Sequence, residues 1–182
     1  MRVIAGHAKG RRLGGPPAGT RPFMDRNREA LFSSLGSEVV GAAVIDLFAG
    51  VGSLGLEALS RGAESAVFVE WSPPAVTILR ENVNKVGLGG QVVATDVFDF
   101  LEGADHYYDL AFVDPPYAMP LASVVEALER LVDHLNPNAV VVVHRRAGES
   151  PPALQGLTLA WEREYGDAQI WRFTKVQEEA MA

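Results

Sequence analysis

From residue 43 onward, short runs rich in Val, Ile and Leu alternate with stretches of helical pattern, and this alternation leaves few folds open. The runs are 43–48 (Ala-Val-Ile-Asp-Leu-Phe), 66–70 (Ala-Val-Phe-Val-Glu), 91–94, 109–113 and 139–143 (Ala-Val-Val-Val-Val). Helical stretches fall between them at 52–61, 73–86, 97–102 and 121–135. Strands this apolar are buried on both faces, so the pattern predicts an α/β, Rossmann-like fold: a parallel sheet with helices on either side. After residue 150 the pattern changes. Leu157 to Glu164 and Gln169 to Lys175 read as two strands joined by Tyr165-Gly166-Asp167-Ala168, a hairpin and therefore antiparallel.

Ahead of the alternation lies a different segment. Residues 2–5 and 10–13 can pair as a small hairpin, a Gly/Pro loop spans Gly14 to Gly19, and Asp25 is placed to cap a helix carrying Ala30, Leu31, Phe32 and Leu35 and stopped by Gly36. Charge marks the segment off. Residues 1–28 hold seven basic groups and one acidic, a net of +6, while the remaining 154 residues hold nine basic and 22 acidic, a net of −13. A basic arm on an acidic body predicts a phosphate-bearing partner met through the arm. Lys9, Arg11, Arg12, Arg21, Arg26 and Arg28 are the expected contacts, with residues 1–24 forming the extension and 25–182 the domain behind it.

Zero cysteines exclude disulfides and thiolate metal sites, and the four histidines are too scattered for a ligand motif, so no metal is expected. With no apolar run long enough for a membrane span and no signal-peptide h-region at the start, the sequence reads as cytoplasmic, without a membrane partner.

Gly50-Val51-Gly52-Ser53-Leu54-Gly55 fits G-x-G-x-x-G between a strand and a helix, and Glu70 ends the second strand, where a carboxylate can accept ribose hydroxyls. These two features alone fit NAD, FAD or S-adenosylmethionine. Asp46 inside the first strand favours the last, because dinucleotide folds usually hold an apolar residue there. Asp96 follows the third strand, placed to accept from an adenine amine, with Val97 or Phe98 against the ring.

The turn leaving the fourth strand is Asp114-Pro115-Pro116-Tyr117. Two prolines end the strand and stiffen the turn. Asp114 and the Pro115 carbonyl can accept the two N–H bonds of an exocyclic amine, and Tyr117 can stack on the attached ring. All these groups lie at the carboxyl ends of parallel strands, the edge where open α/β sheets bind ligands. The joint pattern points to an N-methyltransferase. Three other readings stand beside it. A DNA amino-methyltransferase of adenine or cytosine would need a recognition domain for which there is no room. A non-catalytic RNA-binding module would not need the acids. A nicotinamide-dependent oxidoreductase is disfavoured by Asp46.

The chain also resembles a family, the RsmD-type ribosomal RNA methyltransferases. The likeness rests on Arg2-Val-Ile-Ala-Gly with Lys9-Gly10-Arg11-Arg12-Leu13, Arg21-Pro22, and Asp25-Arg26 with Arg28-Glu29-Ala30-Leu31-Phe32. It continues through Asp46-Leu47-Phe48-Ala49-Gly50, Gly55-Leu56-Glu57-Ala58-Leu59-Ser60-Arg61-Gly62-Ala63 and Asp114-Pro115-Pro116-Tyr117. The resemblance implies a class I methyltransferase fold with seven strands in order 3-2-1-4-5-7-6, the last antiparallel. It implies an S-adenosylmethionine site formed by Asp46, Phe48, Ala49, Gly50, Gly52, Gly55, Glu70, Asp96 and Val97, with S-adenosylhomocysteine as product. It implies, as substrate, the N2 amine of one guanine (guanine 966) in 16S ribosomal RNA, within a partly or fully assembled small subunit, and a monomeric enzyme. There are departures. Phe23-Met24 stand where the family has two threonines, Asn27 replaces an apolar residue, and His144-Arg145-Arg146 follow the fifth strand where the family tends to carry Glu.

Overall fold

The computed structural model describes residues 1–16 and 25–176. Seven strands form one sheet: β1 (Ala43–Leu47), β2 (Ser65–Val69), β3 (Gln91–Val93), β4 (Tyr108–Val113), β5 (Leu135–Arg146), β6 (Leu157–Tyr165) and β7 (Ala168–Lys175). Their order is β3-β2-β1-β4-β5-β7-β6. The first five pair in parallel, and β7 runs antiparallel to both β5 and β6. The helices are α1 (Asp25–Leu35), α2 (Ser53–Ser60), α3 (Pro73–Val86), α4 (Val97–Gly103) and α5 (Leu121–Val132). None of them is long and apolar enough to cross a membrane.

Side chains alternate across the strands, and both faces are covered. Val44, Leu110, Phe112, Val140, Val142 and Ile170 join a cluster with α1, α2 and α3. Their neighbours Ile45, Ala111, Val113, Val141, Val143 and Trp171 join the opposite cluster with α4 and α5. That is why the sequence shows unbroken apolar runs rather than alternation. β5 is longer than 139–143. It begins at Leu135, which pairs with Tyr108, and the register then shifts before Leu110 meets Val140.

The N-terminal segment is bound more closely to the body than a basic arm implies. Its pairing is a single antiparallel bridge, Arg2 with Arg12, supported by Val3 N–H to the Arg11 carbonyl and Gly10 N–H to the Val3 carbonyl. Val3, Ala8 and Leu13 are buried in the cluster beneath α1 and α2. Glu57 of α2, itself buried, accepts the backbone N–H groups of Ile4 (2.8 Å) and Ala5 (3.0 Å). Ser60 accepts Ala8 N–H at 2.9 Å and donates to the Ala5 carbonyl at 2.5 Å.

Gly6 is what permits this contact. Its φ is +79°, and a Cβ there would lie 1.7 Å from the Ser60 carbonyl oxygen. Gly6→Ala is therefore expected to destabilise by roughly 1–3 kcal/mol, as overpacking does, read as a fall in Tm of about 2–4 °C per kcal/mol. Gly15→Ala, at a position with open space around it, is the control and should leave Tm unchanged.

Candidate active site

Parallel register carries four functional stretches to one edge of the sheet. β1 releases the loop Phe48 to Gly52, which turns with φ of 60° at Phe48, 56° at Gly50 and 84° at Gly52. A side chain at Gly52 would strike Leu79 at 2.5 Å, and one at Gly55 would strike Phe68 at 2.4 Å. Those two glycines let α2 press against the sheet and α3. Nothing lies within 4 Å of the space above Gly50, which leaves the backbone open to a ligand.

Asp46 lies on the face that α2 covers. It is 1% exposed, and its Oδ2 accepts the Gly55 N–H at 2.9 Å. Burial raises its pKa well above the usual carboxylate value. The Gly55 N–H acts the other way, and the charges of Asp114 and Glu70 raise it further. Glu70, also buried, accepts Gly50 N–H with one oxygen and Ser72 N–H with the other, each at 2.8 Å. It thus shapes the glycine loop as well as offering oxygens at the strand end. Ala49 N–H donates to the Val69 carbonyl at 3.0 Å, fixing the loop to β2.

Asp96 is the N-cap of α4, where its side chain accepts Phe98 N–H at 2.8 Å. Val97 departs from expectation. Its side chain is buried in the same core cluster as Leu101, which leaves its backbone as the part open to the site. Phe98 is the partly buried ring at this position, with the Arg130 guanidinium 5.3 Å from its centroid.

Asp114 leaves β4 with its N–H on the Leu47 carbonyl at 3.4 Å, so the Asp-Pro-Pro-Tyr turn starts beside the glycine loop. Pro115 is buried and Pro116 exposed. The Pro116 carbonyl accepts Met119 N–H at 2.8 Å and the Arg145 guanidinium at 3.4 Å. Arg145 also donates to the Met119 carbonyl (2.9 Å) and is held by both oxygens of Glu149.

His144, in sequence only a departure from the family pattern, stands inside the site. Its Nδ1 lies 2.6 Å from Asp114 Oδ1, and its Nε2 lies 3.2 Å from the Tyr117 hydroxyl. The Arg146 guanidinium sits 5.7 Å from the Tyr117 ring centroid. Strand register explains the meeting. Leu110 pairs with Val140 and Phe112 with Val142, so the same offset of 30 residues brings Asp114 opposite His144 on one face.

The expected basic contacts divide. Lys9, Arg12 and Arg26 are exposed. Arg11 is exposed too, but its Nη1 donates to the Lys85 carbonyl at 2.8 Å and to that of Val86, so it also closes the end of α3. Arg28 is a correction. It is 0% exposed, donating to the Arg2 carbonyl and to Asp25, with Glu57 at 3.8 Å, and it cannot reach a phosphate. Its place was legible in the helix, since 28, 31, 32 and 35 are the buried positions of α1. Asp25 begins α1 and serves Arg28. Arg21 and Phe23-Met24 lie outside the described residues.

Residues 1–174 match the family described as Conserved hypothetical protein 95. Ribosomal RNA small subunit methyltransferase D of Escherichia coli (strain K12) is 37% identical over 140 residues, spanning 76% of this chain and 68% of that protein. The enzyme of the same name from Haemophilus influenzae is 32% identical over 175 residues, 91% of this chain and 89% of the relative. This chain belongs to that family. A hypothetical protein of Thermus thermophilus superposes with a TM-score of 0.84 at 36% identity, covering 97% of this chain and 99% of the other. A Streptococcus mutans protein described as an S-adenosylmethionine-dependent methyltransferase shares the fold, at 17% identity and a TM-score of 0.71.

S-adenosylmethionine suits the donor set present. It carries a sulfonium and an ammonium, and three mutually repelling carboxylates (Asp46, Glu70 and Asp114) meet at this edge. The sign of the Asp46 effect can be tested without ligand. A carboxyl raised in the folded state contributes stability that is full below the unfolded pKa, about 3.9, and is lost as pH rises through the folded value. Asp46→Asn keeps an acceptor for Gly55 and removes that loss. Urea unfolding from about pH 4 upward is expected to show the variant gaining stability relative to the unaltered protein as pH rises, while calorimetry shows weaker S-adenosylmethionine binding.

Proposed function

We propose that this chain transfers a methyl group from S-adenosylmethionine to the exocyclic N2 of a guanine in the 16S RNA of the small ribosomal subunit, guanine 966 being the expected position. It would work in the cytoplasm as a monomer on a partly or fully assembled particle. The observation that carries the reading is the rigid Asp114-Pro115-Pro116-Tyr117 turn, joined by the Asp114 N–H to β1 at the edge that also holds Asp46, the glycine loop and Glu70. Family membership supports the same reading.

S-adenosylmethionine, when bound, supplies a methyl carbon made electrophilic by its sulfonium. Glu70 is assigned to the ribose, Asp96 with Val97 or Phe98 to the adenine, and the loop Phe48 to Gly52 to the methionine end, with Asp46 behind it. The guanine amine is a poor nucleophile because its lone pair is delocalised into the ring. Hydrogen bonds to Asp114 and the Pro115 carbonyl pull the nitrogen toward sp3 geometry and offset the positive charge that grows on it. The base has to leave its stack to reach the turn, and Tyr117 offers a replacement ring. Transfer of that methyl to the nitrogen lone pair would leave S-adenosylhomocysteine as the other product. One N–H proton passes to Asp114 and on to water.

The test is methylation of small subunits from a strain lacking this protein, with the product nucleoside identified by mass spectrometry. N2-methylguanosine is expected, and methyl-adenosine or methyl-cytidine would overturn the assignment. Asp114→Asn should lower the single-turnover rate by about 10²–10³, the scale for losing one preorganised charge-stabilising contact, with S-adenosylmethionine affinity changed less than tenfold.

Lys9, Arg12 and Arg26 are assigned to RNA phosphate. Replacing all three by Gln should flatten the log–log salt dependence of RNA binding by about 2, given roughly 0.7 per single-strand contact. The cofactor affinity of that triple variant should be unaltered.

A further inference from the structure

We propose that His144 is a positioning residue for this reaction: neutral, it orients Asp114 and Tyr117 toward the incoming amine, and protonated, it draws the Asp114 charge away and slows transfer. The inference rests on the reading of Asp114 given above and goes beyond it to a residue that the family pattern does not supply.

The geometry is a chain of three groups. His144 Nδ1 meets Asp114 Oδ1 at 2.6 Å, and His144 Nε2 meets the Tyr117 hydroxyl at 3.2 Å. The Tyr117 and His144 rings lie 5.5 Å apart and tilted by 56°. Asp114 is a carboxylate beside two others, so in a neutral imidazole the Nδ1 proton is the donor to Oδ1. Nε2 is then an acceptor for the Tyr117 O–H. In this tautomer one oxygen of Asp114 is pinned, and the Tyr117 ring is held by its own hydroxyl. A second proton on the imidazole places a full positive charge 2.6 Å from Oδ1. Asp114 then becomes a weaker acceptor for the amine and less able to offset charge in the transition state.

The neighbours define the electrostatic setting. From the turn after β4 come Asp114 and Tyr117. Behind Asp114 lie Asp46 of β1 and Glu70 after β2. On β5 itself, Arg145 turns to Glu149 and Arg146 lies over Tyr117. The β7 residue paired with His144 is Ile170, with Gln169 beside it. Farther along β7, Arg172 is held by Glu38. At the hairpin end, the Asp167 carbonyl accepts the Ala147 N–H. His144 is the member of this group whose type changes charge between about pH 5 and 8.

Two readouts test the proposal. In the free protein at mildly alkaline pH, NMR can read which nitrogen of the neutral His144 imidazole carries the proton. Nδ1–H is expected, facing Asp114 Oδ1, and an Nε2–H tautomer would mean that the pair does not exist in solution. In single-turnover methylation, the unaltered protein should lose rate as pH falls from about 8 to 5, with RNA affinity unchanged. His144→Gln, which keeps an amide donor but cannot titrate, should fold with unaltered cofactor affinity. It should run roughly ten- to hundredfold slower at neutral pH, the scale for small misplacement of a reacting group, and lose that acid limb. A His144→Gln profile with the same acid limb would overturn the proposal while leaving the assigned reaction intact. Absence of guanine methylation by the unaltered protein would instead remove the reaction, and the role of His144 with it. If His144→Gln fails to fold, the unaltered protein decides: a single-turnover rate that stays flat from about pH 8 to 5 would overturn the proposal.

Discussion

Three carboxylates at one sheet edge are the constraint around which the site is arranged. Asp46, Glu70 and Asp114 come from three adjacent parallel strands, whose register brings their ends together. Left alone they repel. The fold offsets this with backbone donors: Gly55 N–H for Asp46, and Gly50 and Ser72 N–H for Glu70. For Asp114 it uses an imidazole. What remains is a negative sheet edge at which a cation is favoured. Its acids do double duty, because the bonds that quiet their charges also give the glycine loop its shape.

A second polar hub lies on the far side of α2. Glu57 joins Ile4, Ala5 and Arg61, with Arg28 close by, and both Glu57 and Arg28 are buried. Arg28 Nε and Nη1 are buried there without a hydrogen-bond partner among the described residues. Burying a charge is costly unless it is paired, so the Asp25 and Glu57 carboxylates are what make the buried Arg28 tolerable. Burial still lowers its pKa, with the two carboxylates opposing that shift. Asn82 adds a further tie. It accepts Gly14 N–H at 2.7 Å and donates to the Val51 carbonyl at 2.9 Å, linking the N-terminal segment to the glycine loop through α3.

Much of this was legible in the sequence, for identifiable reasons. Strands buried on both faces leave unbroken apolar runs, so β1, β2, β4 and the middle of β5 could be read directly, and the edge they share followed from their being parallel. The strand order came from the family resemblance. His144 was hidden because its role depends on register between β4 and β5, and periodicity along one strand does not give an offset between two. Arg28 was misjudged because charge was counted without phase. Its spacing with Leu31, Phe32 and Leu35 put it on the buried stripe. Val97 shows the same kind of effect, since a residue beside a site in sequence can turn its side chain into the core while its backbone stays at the site.

Helix α2 carries the glycine loop at its start and the Glu57 and Ser60 anchors of the N-terminal segment toward its end. Eight residues of α-helix span about 12 Å at 1.5 Å per residue. With Gly6 pressed against the last turn, little slack remains between the two ends. The helix is therefore a ruler: it sets the distance between the N-terminal segment at one end and the glycine loop at the other, and neither can slide along the sheet without carrying the other with it.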